Sequence, residues 1–321
     1  MPPIKPYIGR REAIGFGVEA TPGAGVAAQG WMRWLDQSLQ PMTNVVENES
    51  AMGVVERVND SEVTNKWVEG TLGGKVTVET VGFLMLGMWG EVVSSAPDVD
   101  GIVTHTYSMK QSSEPTALSV TRVTPLKTER FTYGTVESFE LEAEAGGYVT
   151  VSSAIKARVG ESTTATPAFV EEAEFTSKHI TIKTSADLAG LTGAPVIKAR
   201  SLKLNGEREA TAFDPLGTDD KPEFDLGTFE AKGEFVVRAT STEYEEAYLA
   251  NARHAMEIAM VNGDESLVFT ASKVRFRELE SSRDRDDIVT ATISYFCEFD
   301  VATNSSIVPV LKNKRASYAA A

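Results

Sequence analysis

Three histidines (His105, His179 and His254) and one cysteine (Cys297) are the residues of this 321-residue chain most able to do chemistry. His105 and His179 fall in alternating apolar and polar stretches and His254 on an amphipathic one. Each therefore reads as a packed or solvated ring rather than a proton carrier. A lone cysteine allows no internal disulfide and no multi-thiolate metal site. HExxH, CxxC and GxSxG are absent, so the zinc and serine hydrolases do not find their motifs. Gly15-Phe16-Gly17-Val18-Glu19-Ala20 fits the GxGxxA dinucleotide fingerprint in letters only. Thr21-Pro22-Gly23 follows where a helix must begin, and no βαβ pattern surrounds it. Gly73-Gly74-Lys75 lacks the upstream glycine of a P-loop. Asp98-Val99-Asp100-Gly101 and the RDRDD run from Arg283 to Asp287 gather carboxylates without the twelve-residue loop and distal Glu of an EF-hand. The interleaved arginines of the second run fit a solvated hairpin tip. Carboxylate pairs for glycoside hydrolysis carry no information in a chain with 46 Asp and Glu. No catalytic residue, cofactor or metal ligand is assigned, and an enzyme is not expected.

Against those 46 acids stand 31 Lys and Arg, a formal charge of −15, and both halves of the chain share the acidic excess. Affinity for nucleic acid comes largely from basic groups that neutralise phosphates. The chain as a whole should thus repel DNA and anionic membranes. With 42% hydrophobic residues it can build a sizeable core, and its length suggests about two domains. The most apolar run, VGFLMLGMW from Val81 to Trp89, is about half of what spans a bilayer. The opening MPPIKPYIGRREAIGFG has no apolar stretch of the secretory type. A soluble protein made in the cytoplasm, with no membrane partner, is expected.

The elements that must position these residues are mostly strands. Period-two alternation marks 75–80 (KVTVET), 117–123, 138–143 and 148–159 in the first half. In the second it marks 179–183, 196–204, 233–239, 266–276 and 288–299. Gly146-Gly147, Asn205-Gly206 and Asn262-Gly263 are turn signals between them. Two helices are expected. Thr80–Gly90 is apolar nearly all round, hence deeply buried. Residues 243–261 place Tyr244, Tyr248, Ala252, Ala255 and Ala259 on one face, behind a Thr242/Glu245 capping box. The fold class is mainly β, an antiparallel sandwich or barrel with short flanking helices.

Element order suggests an internal duplication. In each half an alternating strand leads into a helix and ends in a strand pair, with Phe139 matching Phe276 and Val149-Thr150 matching Val289-Thr290. Two unrelated β domains joined by GESTTATP, residues 160–167, are the alternative. The expected division is 1–165, 166–303 and a C-terminal arm 304–321. The acidic stretch 44–66 is too long for an ordinary loop, and is either a disordered excursion or a hairpin that orders against a partner.

The N-terminal third carries a resemblance. GFGVEATPGAGVAAQGWMRWLDQSL, residues 15–39, is followed by VVENESAMG and then by GTLGGKVTVETVGFLMLGMWG, residues 70–90. This order is similar to that of the tail tube (major tail) proteins of long-tailed, non-contractile bacteriophages. It covers residues 13 to 160, and element order alone extends it into the second half. The resemblance implies a virion protein of two packed sheets and a helix. Such proteins assemble side by side into rings with a continuous inner barrel, and the rings stack into a tube that DNA traverses without specific binding. Three chains as a pseudo-hexamer are favoured over six. Tape measure, tail terminator and distal tail proteins would be further partners, and the C-terminal arm would tie rings together. The long loop would reach a neighbour through Val46, Glu47, Glu49, Met52, Val54, Val55, Val58 and Trp67. The competing classes are a carbohydrate-binding or adhesin β-sandwich and another phage tail or capsid component. The lack of a visible signal peptide and of an aromatic cluster for stacking sugars stands against the first.

Overall fold

The computed structural model describes residues 6–217, 221–283, 285 and 287–319. Met1 to Lys5, Asp284 and Asp286 of the RDRDD run, and Ala320 and Ala321 of the expected arm lie outside the described residues.

The molecule is mainly β, as expected, and every named strand pairing is antiparallel. Its central sheet runs in the order Gln40–Asn48, Asp60–Lys75, Thr150–Ala157, Ser138–Glu144, Ala199–Phe213, Glu223–Arg238, Thr290–Cys297, Glu265–Ser282. Alternation sends Phe139, Leu141, Leu202, Leu204, Phe235, Ile293 and Tyr295 into the core and their neighbours outward. Behind the sheet, Ala13–Val18, Leu118–Val123 and Thr128–Val136 form one backing layer. Ile180–Ser185, His254–Asn262 and the first half of Glu265–Ser282 form another.

The helix Val81–Trp89 lies between these layers with all nine residues buried. Phe83 meets Phe16 and Tyr318, while Trp89 meets Phe139, Phe229 and Phe269. Gly90, at φ 88, closes the helix in the left-handed region that favours glycine. The turn that leads into the helix is held from a distant part of the chain. The Glu172 carboxylate accepts from the amides of Glu79 and Thr80 at 2.9 and 3.3 Å and from the Thr80 hydroxyl.

Four expectations are corrected. The strand foreseen at 75–80 ends at Lys75, having begun at Asp60. Val76 and Val78 are buried, but the chain there is an extended lead-in to the helix, held by Val149 and Ala173 carbonyls. The helix foreseen over 243–261 covers only Glu243–Leu249. Asn251 at φ 48 turns the chain, and His254–Asn262 is a strand between Ile180–Ser185 and Glu265–Ser282. Alanine and methionine favour helix, but two available strand partners override propensity. The capping box does not form, since the Thr242 hydroxyl meets Glu246 instead, at 2.6 Å. Finally, the segment expected as a C-terminal arm is tied into the fold. Val308–Asn313 pairs with Glu265–Ser282 and Val103–Met109. Tyr318 is buried beside Gly82, donating to the Glu79 carbonyl at 2.6 Å. The stretch 44–66 is a hairpin whose residues 49–59 alone lie outside strands.

Two parts of the chain share one pairing register. Trp34–Asn48 against Asp60–Lys75 slips between Trp34 and Asp36 and again between Asn44 and Val45. Ala199–Phe213 against Glu223–Arg238 slips between Ala199 and Ser201 and between Arg208 and Ala210. Gln40 thus faces Glu69 as Asn205 faces Lys232, and Val45 faces Val63 as Ala210 faces Leu226. Lys75 then meets Thr150 as Arg238 meets Thr290. Leu118/Val120 and His254/Met256 mark matching slips in the backing layers. By this register Val149-Thr150 and Val289-Thr290 correspond as expected, but Phe276 does not match Phe139. Glu142 faces Thr150 and Ser282 faces Thr290, so Phe139 matches Leu279. Phe276, opposite Tyr295, matches Val136, opposite Ile155.

Candidate functional site

The outward face of the central sheet carries a lattice of charges. Reading across the strands, Thr150, Glu142, Lys203, Glu234, Ser294 and Glu278 stand in one row. Ser152, Glu140, Asn205, Lys232, Phe296 and Arg275 form the next. Directly opposed residues of antiparallel strands share a face, which makes these rows a surface rather than a list. Lys203 Nζ lies 2.5 Å from Glu140 Oε1 and 3.0 Å from Glu142 Oε1. Lys232 reaches Glu207 at 2.8 Å, and Lys156 reaches Glu137 at 2.8 Å.

The Lys203 ammonium holds Glu142 below its ordinary value, and the Lys232 ammonium does the same for Glu207. Both lysines are raised in turn, Lys203 chiefly by its hydrogen bonds to Glu140 and then Glu142, and Lys232 by that to Glu207. Glu144, Glu230 and Glu234 add further negative charge on the exposed side. The face is therefore acidic, with each of these lysines held by carboxylates, and is poor at gripping a polyanion.

Lys203 also marks a seam. Ser138–Glu144 and Ala199–Phe213 join the first four strands of the sheet order to the last four, with Leu141 opposite Leu204 and Glu142 opposite Lys203. At its end the Glu137 carbonyl accepts from Arg208 at 2.8 Å, and the Glu137 carboxylate accepts from the Ala210 amide at 3.1 Å. Lys156 donates to the Ala210 carbonyl at 3.0 Å. Ala210, Phe224 and Leu226 bury themselves there beside Tyr133.

The residues assigned to neighbour contact divide. Val46 and Glu47 lie in the strand Gln40–Asn48; Met52, Val54, Val55 and Val58 are exposed around the tip, Val55 fully. Glu49 is held by Arg57 at 2.7 Å. Trp67 stands apart, half-buried against the Phe224 cluster, with its Nε1 donating to Glu69 at 2.9 Å.

Residues that invited chemical readings have packing duties. His105 is buried, hydrogen-bonded to Ser94 and within 3.0 Å of the Asn313 amide oxygen, and burial lowers its pKa. His254 stacks on Phe276, and burial lowers it too. Cys297 is buried and its thiol is pushed up to about 12. Gly15 and Gly17 sit in the strand Ala13–Val18, where a β-carbon would strike Ala28, Trp31 or the Ala27 carbonyl. Asp98 accepts from the amides of Asp100 and Ile102, closing a turn on itself. Among the described residues no three His, Cys, Asp or Glu are grouped to hold a metal ion. No described helix is long and apolar enough to cross a membrane.

The Glu140/Lys203 lattice escaped the sequence reading. Glu140, Glu142 and Glu144 are visible as an alternating acidic edge, but strand order alone decides that lysines stand opposite.

A long antiparallel sheet with one polar face and paired hairpins defines a mainly β protein. Residues 9–297 match the family model described as phage tail tube protein, and the chain belongs to that family. No curated protein sequence matches it. It is thus a structural component of a phage tail tube.

Proposed function

We propose that the chain is a tandem of two tube units, three copies of which close into a pseudo-hexameric ring. One unit comprises the sheet order from Trp34–Asn48 to Ser138–Glu144, the other that from Ala199–Phe213 to Glu265–Ser282. The observation that carries this reading is the shared register, with slips at matching places in the hairpins and in the backing layers. Two unrelated β domains would have no reason to slip at matching residues. Head-to-tail contact that closes within the plane makes a ring, and an open stacking contact extends it into a filament. Tape measure, terminator and distal tail proteins would meet such a tube inside it and at its ends.

The acidic sheet face lines the lumen in this proposal. A wall that attracted phosphates would hold DNA by counterion release, whereas an acidic one lets it slide. Replacing Glu140, Glu142 and Glu144 by glutamine should slow DNA ejection from particles. Unchanged ejection kinetics would remove the lumenal assignment.

The assembly itself is tested by negative-stain electron microscopy of concentrated protein, beside a variant lacking residues 44–66. Hollow filaments from the intact chain alone, with three-fold end-on views, are expected. Six-fold views with one half of each chain on the outside would replace the tandem arrangement.

A further inference from the structure

The internal seam is a template for a contact that the isolated chain leaves unmade. On one side of the molecule the strand Glu265–Ser282 pairs Thr290–Cys297 through residues 274–282, and residues 275–282 have no described strand on their other side. On the opposite side, among the described strands, Trp34–Gln37 and Gln40–Asn48 pair only with Asp60–Lys75. These are the two edges whose counterparts meet inside the chain as Ser138–Glu144 and Ala199–Phe213. A second difference points the same way. Ala210 and Leu226 at the base of the second hairpin are 2% and 4% exposed, while Val45 and Val63 at the same places in the first are 47% and 37% exposed.

We propose that residues 278–282 of one copy pair antiparallel with residues 38–42 of the next, Ser282 opposite Ser38 and Glu278 opposite Met42. The base of the next copy's Val45/Val63 hairpin then closes on Arg277. This rests on the tandem reading above and assigns its partner, a second copy of this chain. The register follows from the seam, where Glu142 faces Lys203 and Ser138 faces Glu207. Pro41 falls where Gly206 donates to Phe139, so the ladder lacks one bond there and keeps the Pro41 carbonyl as acceptor. Proline with its missing amide on the outer side is a usual guard of an edge strand. The Leu39 carbonyl already accepts Arg122 at 2.8 Å and has a second lone pair for the Ser281 amide.

The chemistry of the socket is inverted relative to the seam. Where Glu137 receives the Ala210 amide, the corresponding residue is Arg277, exposed, over the ring of Phe296 at 5.4 Å and 3.7 Å from the Glu298 carboxylate. The hairpin that would arrive there carries Glu47 in place of Ala212, two residues along from Val45 on the same face. A cation at the receiving position and a carboxylate on the arriving hairpin favour the contact between copies over a copy folding its own hairpin onto the internal site.

Ser38 and Ser282 would form a pair without mutual backbone hydrogen bonds, the closest opposed pairing in an antiparallel ladder. The test is the double variant Ser38→Cys with Ser282→Cys, oxidised and run on a non-reducing gel, beside Ser38→Cys with Glu280→Cys, which is one row out of register. The expected result is covalent oligomers ending at the ring number from the first variant and little from the second. Arg277→Ala should weaken assembly while leaving the circular dichroism spectrum unchanged, and Arg277→Lys should keep it. Filaments in which 38 and 282 do not cross-link, or cross-link no better than the control, would overturn the seam and leave the tube standing. An unmodified chain that sediments as a monomer at every concentration would overturn the tandem ring with it.

Discussion

The Tyr295 hydroxyl reaches over Gly233 and donates to the carbonyl of Lys203 at 3.0 Å. Three neighbouring strands of the central sheet are thereby tied on the core side at a residue whose ammonium ties Glu140 and Glu142 on the outer side. The inner bond needs a bare backbone between its ends. A β-carbon at Gly233 would fall onto the Lys203 carbonyl and the Tyr295 ring.

Gly233→Ala should therefore destabilise the chain by about 1–3 kcal/mol, the range for overpacking a filled core. Tyr295→Phe, which keeps the ring and removes the bond, should cost about 1 kcal/mol. Denaturant midpoints of the two variants check both values. Equal losses would mean that the hydroxyl, and not the clearance above Gly233, sets the geometry.

Acid should weaken the outer lattice. The folded pKa of Glu142 and of Glu207 lies below the ordinary 4.5. A carboxylate held low contributes stability that is present above its unfolded value and is lost as pH falls through the folded one. The melting temperature should accordingly decline as pH drops below about 4.5. Lys203→Met should flatten part of that decline; both partners are partly solvated, so the effect is modest. An identical pH profile for the variant would show that the lattice contributes nothing.

Tyr318 fills the space left by Gly82 and bonds the Glu79 carbonyl, while Asn313 donates to its hydroxyl at 2.7 Å and to the Val78 carbonyl at 2.6 Å. Tyr318→Ala opens a cavity against the buried helix and should cost roughly 3–5 kcal/mol, as for other large aromatic truncations. Thermal melts of Tyr318→Ala and Tyr318→Phe separate the cavity from the hydrogen bond. A loss below about 1 kcal/mol for the alanine variant would mean that the C-terminal segment is not part of the core.

Glu172 holds the turn before the buried helix from 93 residues away in the chain. Glu172→Gln should cost about 1 kcal/mol, the usual worth of a hydrogen bond. It should also bring down the pKa of Glu79, which is raised by burial first and by the Glu172 charge second. Carboxyl titration by NMR reads that shift, and an unmoved Glu79 would place the Glu172 charge elsewhere.

Local pattern was enough for much of the architecture. Val81–Trp89 is apolar on every side, so no surface position could satisfy it, and it became the centre of the core. Segments such as Ser138–Glu144 and Thr290–Cys297 alternate so strictly that only a half-buried strand accommodates them. The family was legible too, because glycine-rich segment, acidic stretch and apolar helix follow one another in the first ninety residues. Other features needed partners that sequence does not name. His254–Asn262 has helix-forming alanines and methionines, yet two strands offer it hydrogen bonds on both edges. Val308–Asn313 and Tyr318 look like a tail until Val103–Met109 and Gly82 supply their sites. Likewise Glu140 and Lys203 are ordinary charges until strands sixty residues apart are laid edge to edge. Period and composition act within one segment, whereas a pairing register is decided by whichever distant strand buries the same face.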